Sequence, residues 1–266
     1  MITSNSNEKI KHVAALQQKA GLRREESLFV AEGSRLFLEA PVSLVREVYV
    51  TERFLKNADT LLKQRLSETG YEEVSEPVFA KMSDTKSPQG ILAVASQQSY
   101  SREELLAGIP LLLLLENIQD PGNLGTIFRT AEGAGVTGVI LSPGCADIWQ
   151  PKVVRSTMGS LFRVPFYRSE DLQREIAFLQ NRGVKVCAAW LEGSECYDAV
   201  SYLGGSAFLI GNEGNGLTKE TAMAADTRVR IPMAGKLESL NAGVSAALLV
   251  YEAARQRRGE RGCPVS

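Results

Sequence analysis

Histidine is nearly absent from this chain: among 266 residues there is one, His12. That scarcity all but excludes a Ser-His-Asp triad and any metal site built from several imidazoles. Acid–base work falls to Arg, Lys, Asp, Glu or Tyr. Cysteine is scarce as well. Cys145, Cys187, Cys196 and Cys263 form no CxxC pair, which argues against zinc, and a chain this long and loop-poor does not need a disulfide framework. No metal is expected. Long apolar runs are missing too: the longest, 109–115, holds a proline and is far too short to span a membrane. The opening residues, MITSNSNEKIKH, are polar, so no secretory signal is expected and a cytoplasmic location follows. Neither sign of charge is in excess. The formal net charge is −1, with 13 basic and 13 acidic residues through residue 98 and 17 and 18 after it. That balance speaks against a protein that coats nucleic acid nonspecifically, and leaves room for a local basic patch.

What is present reads as a globular α/β protein with a real core, 44% hydrophobic and 23% charged. Its length allows two domains. In the first, SLFVAEG (27–33), VREVYV (45–50) and ILAVASQ (91–97) read as strands rich in β-branched and aromatic residues. Ser34 is a candidate N-cap for the stretch that follows the first strand, and TERFLKNADTLLKQRLSETG reads as one helix capped at Thr51 and stopped at Gly70. The expected boundaries are a small α/β domain over 1–98, a linker over 99–109 and a second domain over 110–266. From Leu111 the alternation strengthens. LLLLLEN is a short, fully apolar run, the mark of a strand buried on both faces. LGTIFRTAEGAG and PKVVRSTMGSL read as helices; GVILSP, VKVCAAW, SAFLIGN and TRVRIPM read as strands; 239–258 is a long final helix with arginines in its last turns. Strands alternating with helices predict a parallel sheet covered on both faces.

GAGVTG (133–138) fits G-x-G-x-x-G, but here a helix precedes it and a strand follows, the reverse of a dinucleotide site. It reads as a helix end and turn. Three other turns follow buried strands, at the edge where open α/β sheets bind ligands. In ENIQDPGNLGTIFRTAEGAG, Asn123 stands just before a helix and Arg129 six residues on; the plain alternative is a cap and a solvated arginine. In FLIGNEGNGL, Gly211, Gly214 and Gly216 permit a tight turn with positive φ, yet a phosphate cradled there would meet the carboxylate of Glu213. In IPMAGKLESLNAGVSAALLVYEA, Glu238, Ser239 and Asn241 precede a helix of small residues, with Ser239 as its possible cap.

Taken in order, NLGTIFR, IGNEGNGL and IPMAGKLESLNAGVSAALLVYEA resemble the three motifs of the SpoU (TrmH) family of RNA ribose 2′-O-methyltransferases. The resemblance covers about 110–256, and FVAEGSRLFLEA is similar to the substrate-binding domain that precedes it in many members, an α/β fold akin to some ribosomal proteins. It implies a C-terminal domain with a deep trefoil knot and S-adenosylmethionine as methyl donor. That donor carries no phosphate, which removes the objection to Glu213. By the same resemblance Arg129, Asn123, Glu213, Ser239 and Asn241 are the expected catalytic set, and Ile210, Gly211, Ile231, Leu240 and Asn241 the cofactor contacts. The family assigns the base to the matching arginine, although a guanidinium with a pKa above ~12 is a poor base and can instead stabilise the forming alkoxide. A separate N-terminal domain resembles the rRNA-modifying branch, so large-subunit rRNA is the expected substrate, with tRNA or a noncatalytic RNA-binding role as alternatives. Lys9, Lys11, Arg23, Arg24, Arg35 and Arg155 are the candidate RNA contacts. Apolar residues on several faces of the last helix, together with the resemblance, imply a homodimer. A Rossmann-type oxidoreductase is the competing enzyme class, disfavoured by the reversed glycine fingerprint.

Overall fold

The computed structural model describes residues 1–259, so Cys263 lies outside the described residues. The chain divides into two compact units, one of Met1–Gln98 with Asp147–Phe162, the other of Ser99–Ala146 with the chain from Arg163 onward. The first therefore takes in a segment that the sequence places in the second domain.

The first unit begins with α1 (Glu8–Gln18), α2 (Ala20–Glu26), β1 (Leu28–Glu32), α3 (Ser34–Glu39) and β2 (Val45–Thr51). It continues through α4 (Glu52–Asn57), α5 (Thr60–Thr69), β3 (Glu72–Val74), α6 (Glu76–Met82) and β4 (Ile91–Ser96). The strands form one sheet in the order β1-β4-β2-β3, antiparallel except for the β2–β3 pair. Side chains alternate with the period of two that a strand imposes. Val30, Tyr49, Leu92 and Val94 pack under Ile10, Val13 and Leu16 of α1 and Phe79 of α6. Val48, Val50, Ile91 and Ala93 pack under Phe37 of α3, Phe54 of α4 and Leu62 of α5. The helix expected over 51–70 is two. Thr51 does cap the first, accepting from Phe54 N, but Asp59 accepts from Leu62 N at 2.8 Å and starts a second helix. An Asp side chain that bonds a backbone N–H three residues on ends one helix and begins another. Ser34 is not a cap: Gly33 holds that position, and Ser34 N donates to Gln89 Oε1. Helices α1, α2 and α6 and strand β3 escape the sequence reading.

The second unit begins with α7 (Arg102–Leu105), inside the stretch expected to be linker; a capping box of Ser101 and Glu104 starts it and Leu105 is buried. Then come β5 (Leu111–Leu115), α8 (Pro121–Ala134) and β6 (Gly138–Leu141). Helix α9 (Pro151–Thr157) is shorter than the expected PKVVRSTMGSL helix, because Met158 takes a left-handed C-cap, and it belongs to the first unit. After it come β7 (Phe166–Arg168), α10 (Leu172–Asn181), β8 (Lys185–Ala189), β9 (Glu195–Cys196), β10 (Ser206–Ile210), α11 (Lys219–Ala224), β11 (Thr227–Arg230) and α12 (Ala242–Arg258). GAGVTG is a helix end, with Gly135 as the C-cap of α8.

All strands of this unit are parallel, in the order β7-β6-β5-β10-β8-β11-β9. Every residue of β5 and β10 is buried, as expected for central strands covered on both faces. Leu112, Leu114, Ala207 and Leu209 pack against Leu172, Ile176 and Leu179 of α10 and Ala222 of α11. Helices α8 and α12 lie together on the opposite face. From β5 the chain runs outward through β6 and β7, and only later fills the other side through β8, with β10 inserted between. Strand order thus reverses beside β5, and a crevice opens at the carboxyl ends of the strands at such a point. No helix among the described residues is long and apolar enough to cross a membrane.

Candidate active site

Three loops leave that carboxyl edge. The first joins β5 to α8. Asp120, not Asn123, caps α8: its Oδ1 accepts from Asn123 N at 2.8 Å, and Pro121 follows at the helix start, where a missing N–H costs nothing. Asn123 is thus released from capping, and its side chain is free to bond elsewhere.

The second loop is the glycine turn after β10. Asn212 and Gly216 exchange two backbone hydrogen bonds of 3.0 and 2.9 Å, and Asn212 Oδ1 accepts from Gly214 N and Asn215 N. Only one of its three glycines has positive φ, Gly216 at +67°. Gly211 serves a different need: a Cβ there would lie 2.1 Å from Gly216 C and Leu217 N. Backbone crosses backbone at that point, and only hydrogen fits between.

Glu213, at the tip, does not wait for a ligand. It accepts from Gln119 N at 3.4 Å, Asp120 N at 3.3 Å and Asn123 Nδ2 at 2.9 Å. The amides at the start of α8, which in a phosphate site would meet an anion, meet this carboxylate instead. Burial pushes its carboxyl up, but the hydrogen bonds from Asn123 and from the backbone outweigh it and hold it below the usual carboxylate range.

The third loop leads from β11 to α12. Asn241, not Ser239, is the cap of α12, accepting from Gly243 N at 2.9 Å and Val244 N at 3.3 Å. Its Nδ2 donates to Asn123 Oδ1 at 2.8 Å. Asn123 therefore joins Glu213 on one side to Asn241 on the other, and with them all three loops.

Beside this bridge lies a cleft of about 370 Å³, lined by Trp190 and Leu191 after β8, Gly216 and Leu217 of the glycine turn, and Ile231, Glu238, Ser239 and Leu240 of the third loop. Of the expected cofactor contacts, Ile231 and Leu240 line it. Gly211, Asn241 and the buried Ile210 do not. Arg129 stands on α8 in a stripe with Thr126 and Gly133, the two residues that meet Gly243 and Tyr251 of α12. It is exposed, and its side chain makes no hydrogen bond or ion pair with any described residue. No cluster of three or more metal-ligating side chains occurs among the described residues.

In the first unit the candidate RNA contacts separate. Arg24 and Arg35 are exposed; Lys9 and Lys11 are exposed but paired with Glu72 and Glu8. Arg155 pairs with Asp84 at 2.8 Å and sits on α9 in this unit, not in the second domain where the sequence places it. Arg23 is not available to RNA. Only 4% exposed, it donates to Asp147 Oδ2 at 2.6 and 3.1 Å and to the carbonyls of Leu16 and Gln17, as a buried cation must. The sequence reading missed Trp190, Leu217 and Arg230 of the cleft, and Glu116. Nothing in their local pattern separates them from core or surface residues.

Residues 110–251 match the SpoU rRNA Methylase family, and residues 7–93 match the MRM3-like substrate binding domain. The chain is 36% identical to the 23S rRNA (guanosine(2553)-2′-O)-methyltransferase RlmP of Bacillus subtilis, over 94% of this chain and 97% of that one. Its structure is similar to that of an AdoMet-bound rRNA methyltransferase from Sinorhizobium meliloti, with a TM-score of 0.82, 30% identity and 95% and 96% of the two chains covered. A structure described as an RNA 2′-O ribose methyltransferase matches at a TM-score of 0.81, 30% identity and 96% and 98% coverage. The chain belongs to the SpoU family of rRNA methylases.

Proposed function

From that membership we propose that the chain transfers a methyl group from S-adenosylmethionine to a ribose 2′-hydroxyl, in large-subunit ribosomal RNA. The observation that carries the reading is the Asn123 bridge, which ties the loops after β5, β10 and β11 together beside an apolar cleft. The cleft suits the donor. Trp190, Leu191, Leu217 and Leu240 offer a dry surface to a purine. Glu192 and Glu238 suit a sulfonium and an ammonium group, and Arg230 suits a carboxylate.

The donor, when bound, supplies an electrophilic methyl group; the chain's own residues bring up the hydroxyl and manage its charge. Arg129 has no partner of its own to surrender. A guanidinium has five donors and no acceptor, so Arg129 grips the phosphate beside the ribose and stabilises the oxygen as its proton passes to water and its new bond to the methyl group replaces the donor's S–CH3 bond, leaving a thioether. Asn123 is held at both ends of its amide and orients the site. Glu213 fixes the start of α8, and Ser239 offers a hydroxyl at the cleft rim. Proximity of donor and hydroxyl supplies much of the rate. No metal takes part.

The N-terminal part of the first unit, about 1–98, binds the RNA, with Lys9, Lys11, Arg24 and Arg35 as its cationic contacts. The match to rRNA-modifying relatives over nearly the whole chain favours rRNA above tRNA. The segment from Ile231 closes a trefoil knot, the protein is a homodimer through α12, and it works in the cytoplasm. The test is transfer of labelled methyl groups to rRNA and tRNA from a strain lacking the gene, followed by mapping of methylated riboses. Label in large-subunit rRNA supports the proposal; label in tRNA alone replaces the substrate; no incorporation into either overturns it.

A further inference from the structure

Both ends of the glycine turn rest on one residue at the end of another strand. Glu116 is the first residue past β5. Its N–H donates to the carbonyl of Ile210 at 2.9 Å, where the turn leaves β10. Its carboxylate takes the other end: Oε2 accepts from Thr218 N at 2.7 Å, and Oε1 accepts from the hydroxyls of Thr218 at 2.9 Å and Thr221 at 2.6 Å. Thr218 is the residue that ends the turn and caps α11.

The group is unusual in its setting. Glu116 is 7% exposed, and among the described residues it has no ion-pair partner. A buried carboxylate without a cation is costly unless donors surround it, and here the donors come from one place, the first turn of α11. The turn itself is weakly held from within. Its internal ties are the Asn212–Gly216 pair and the Asn212 side chain, while Gly214 and Gly216 add backbone freedom.

We propose that Glu116 is a positioning residue for methyl transfer, clamping the 211–217 turn at both ends. The clamp sets Gly216 and Leu217 in the cleft wall and holds Glu213 where it meets Asn123. The consequence for the cofactor rests on the proposed donor site; the clamp rests on the hydrogen bonds alone.

The test is made on the full-length protein with Glu116→Ala and Glu116→Gln. Glu116→Ala leaves the Thr218 N–H and the Thr221 hydroxyl without an acceptor, while the Thr218 hydroxyl keeps Thr221 Oγ1 at 2.9 Å. Glutamine keeps the shape: its oxygen takes the Thr218 N–H, and its NH2 donates to the hydroxyl oxygens. In Glu116→Ala, the Kd for S-adenosylmethionine by calorimetry rises about tenfold or more while the KM for RNA stays within about twofold, and Glu116→Gln recovers most of the loss. Without any ligand, amide exchange in 212–217 quickens in Glu116→Ala and is unchanged in β4. A folded Glu116→Ala protein with wild-type exchange in that turn and wild-type donor affinity overturns the proposal. If Glu116→Ala does not fold, Thr221→Val removes one donor at equal volume; faster turn exchange and a donor Kd raised about threefold support the clamp, and no change in either overturns it. A wild-type protein that does not bind S-adenosylmethionine refutes the donor site, and exchange in the ligand-free variants still decides the clamp.

Discussion

Asn123 and Glu213 stand 90 residues apart in sequence and are joined by a hydrogen bond of 2.9 Å from Nδ2 to Oε1. That bond places a carboxylate at the start of α8, where the amides would otherwise attract an anion, and leaves Asn123 Oδ1 to receive Asn241. The glycine turn is thereby a structural partner of the first motif, and its acid serves the protein and repels no phosphate.

Arg129→Ala is expected to reduce kcat by about a thousandfold, as when one charge-stabilising donor is lost from a transition state, with donor affinity near wild type. Arg129→Lys fails nearly as badly, because an ammonium lacks the planar fork that engages two oxygens at once. Single-turnover methyl transfer with separate calorimetry checks both. Wild-type turnover in either variant would refute the role.

Gly211→Ala tests the backbone crossing. Its methyl group meets backbone atoms at 2.1 Å, which cannot swing aside as a flexible side chain does. The turn must open, at a cost of about 1–3 kcal/mol or more. Donor binding is lost with it, while Gly214→Ala, whose Cβ meets only Asn212 Oδ1 at 3.5 Å, binds normally.

Glu213→Gln tests the depressed carboxyl. A carboxylate whose folded pKa lies below its unfolded value adds stability above the unfolded pKa and loses it as pH falls through the folded one. The wild-type advantage in melting temperature should therefore be flat through neutral pH and shrink only below the ordinary carboxylate range, near pH 4. A difference that disappears between pH 6 and 7 would contradict the assignment.

Asp147→Ala tests the ion pair inside the first unit. It leaves Arg23, 4% exposed, with two backbone carbonyls and no anion. A loss of about 2–3 kcal/mol is expected for the transition of that unit, because a charged donor is left partly unsatisfied in the interior. Differential calorimetry reads it; an unchanged transition would show that Arg23 finds another partner.

Val244 and Tyr251 share one stripe of α12 at a spacing of seven and are 45% and 44% exposed. If this stripe is the dimer contact, light scattering gives twice the monomer mass, and Val244→Glu with Tyr251→Glu gives the monomer. A wild-type monomer at micromolar concentration would dispose of the idea.

Local pattern was enough for the elements whose causes are local. Five leucines at 111–115 read as a strand covered on both faces and form one, and Gly135 ends α8 where the glycine-rich turn is expected. Identity of the family was legible for the same reason, since motif residues keep their order along the chain. Partnership was not. Whether Asn123 caps its helix or reaches out depends on Asp120 taking the cap and on Glu213 and Asn241 arriving from strands formed about ninety residues later or more. Arg23 reads as a surface cation until Asp147 comes in from a segment 124 residues on and buries it. Glu116 reads as the polar end of an apolar run until the first turn of α11 supplies its three donors. A buried charge is fixed by whichever groups the fold brings to it, and those groups leave no periodic trace near it in the sequence.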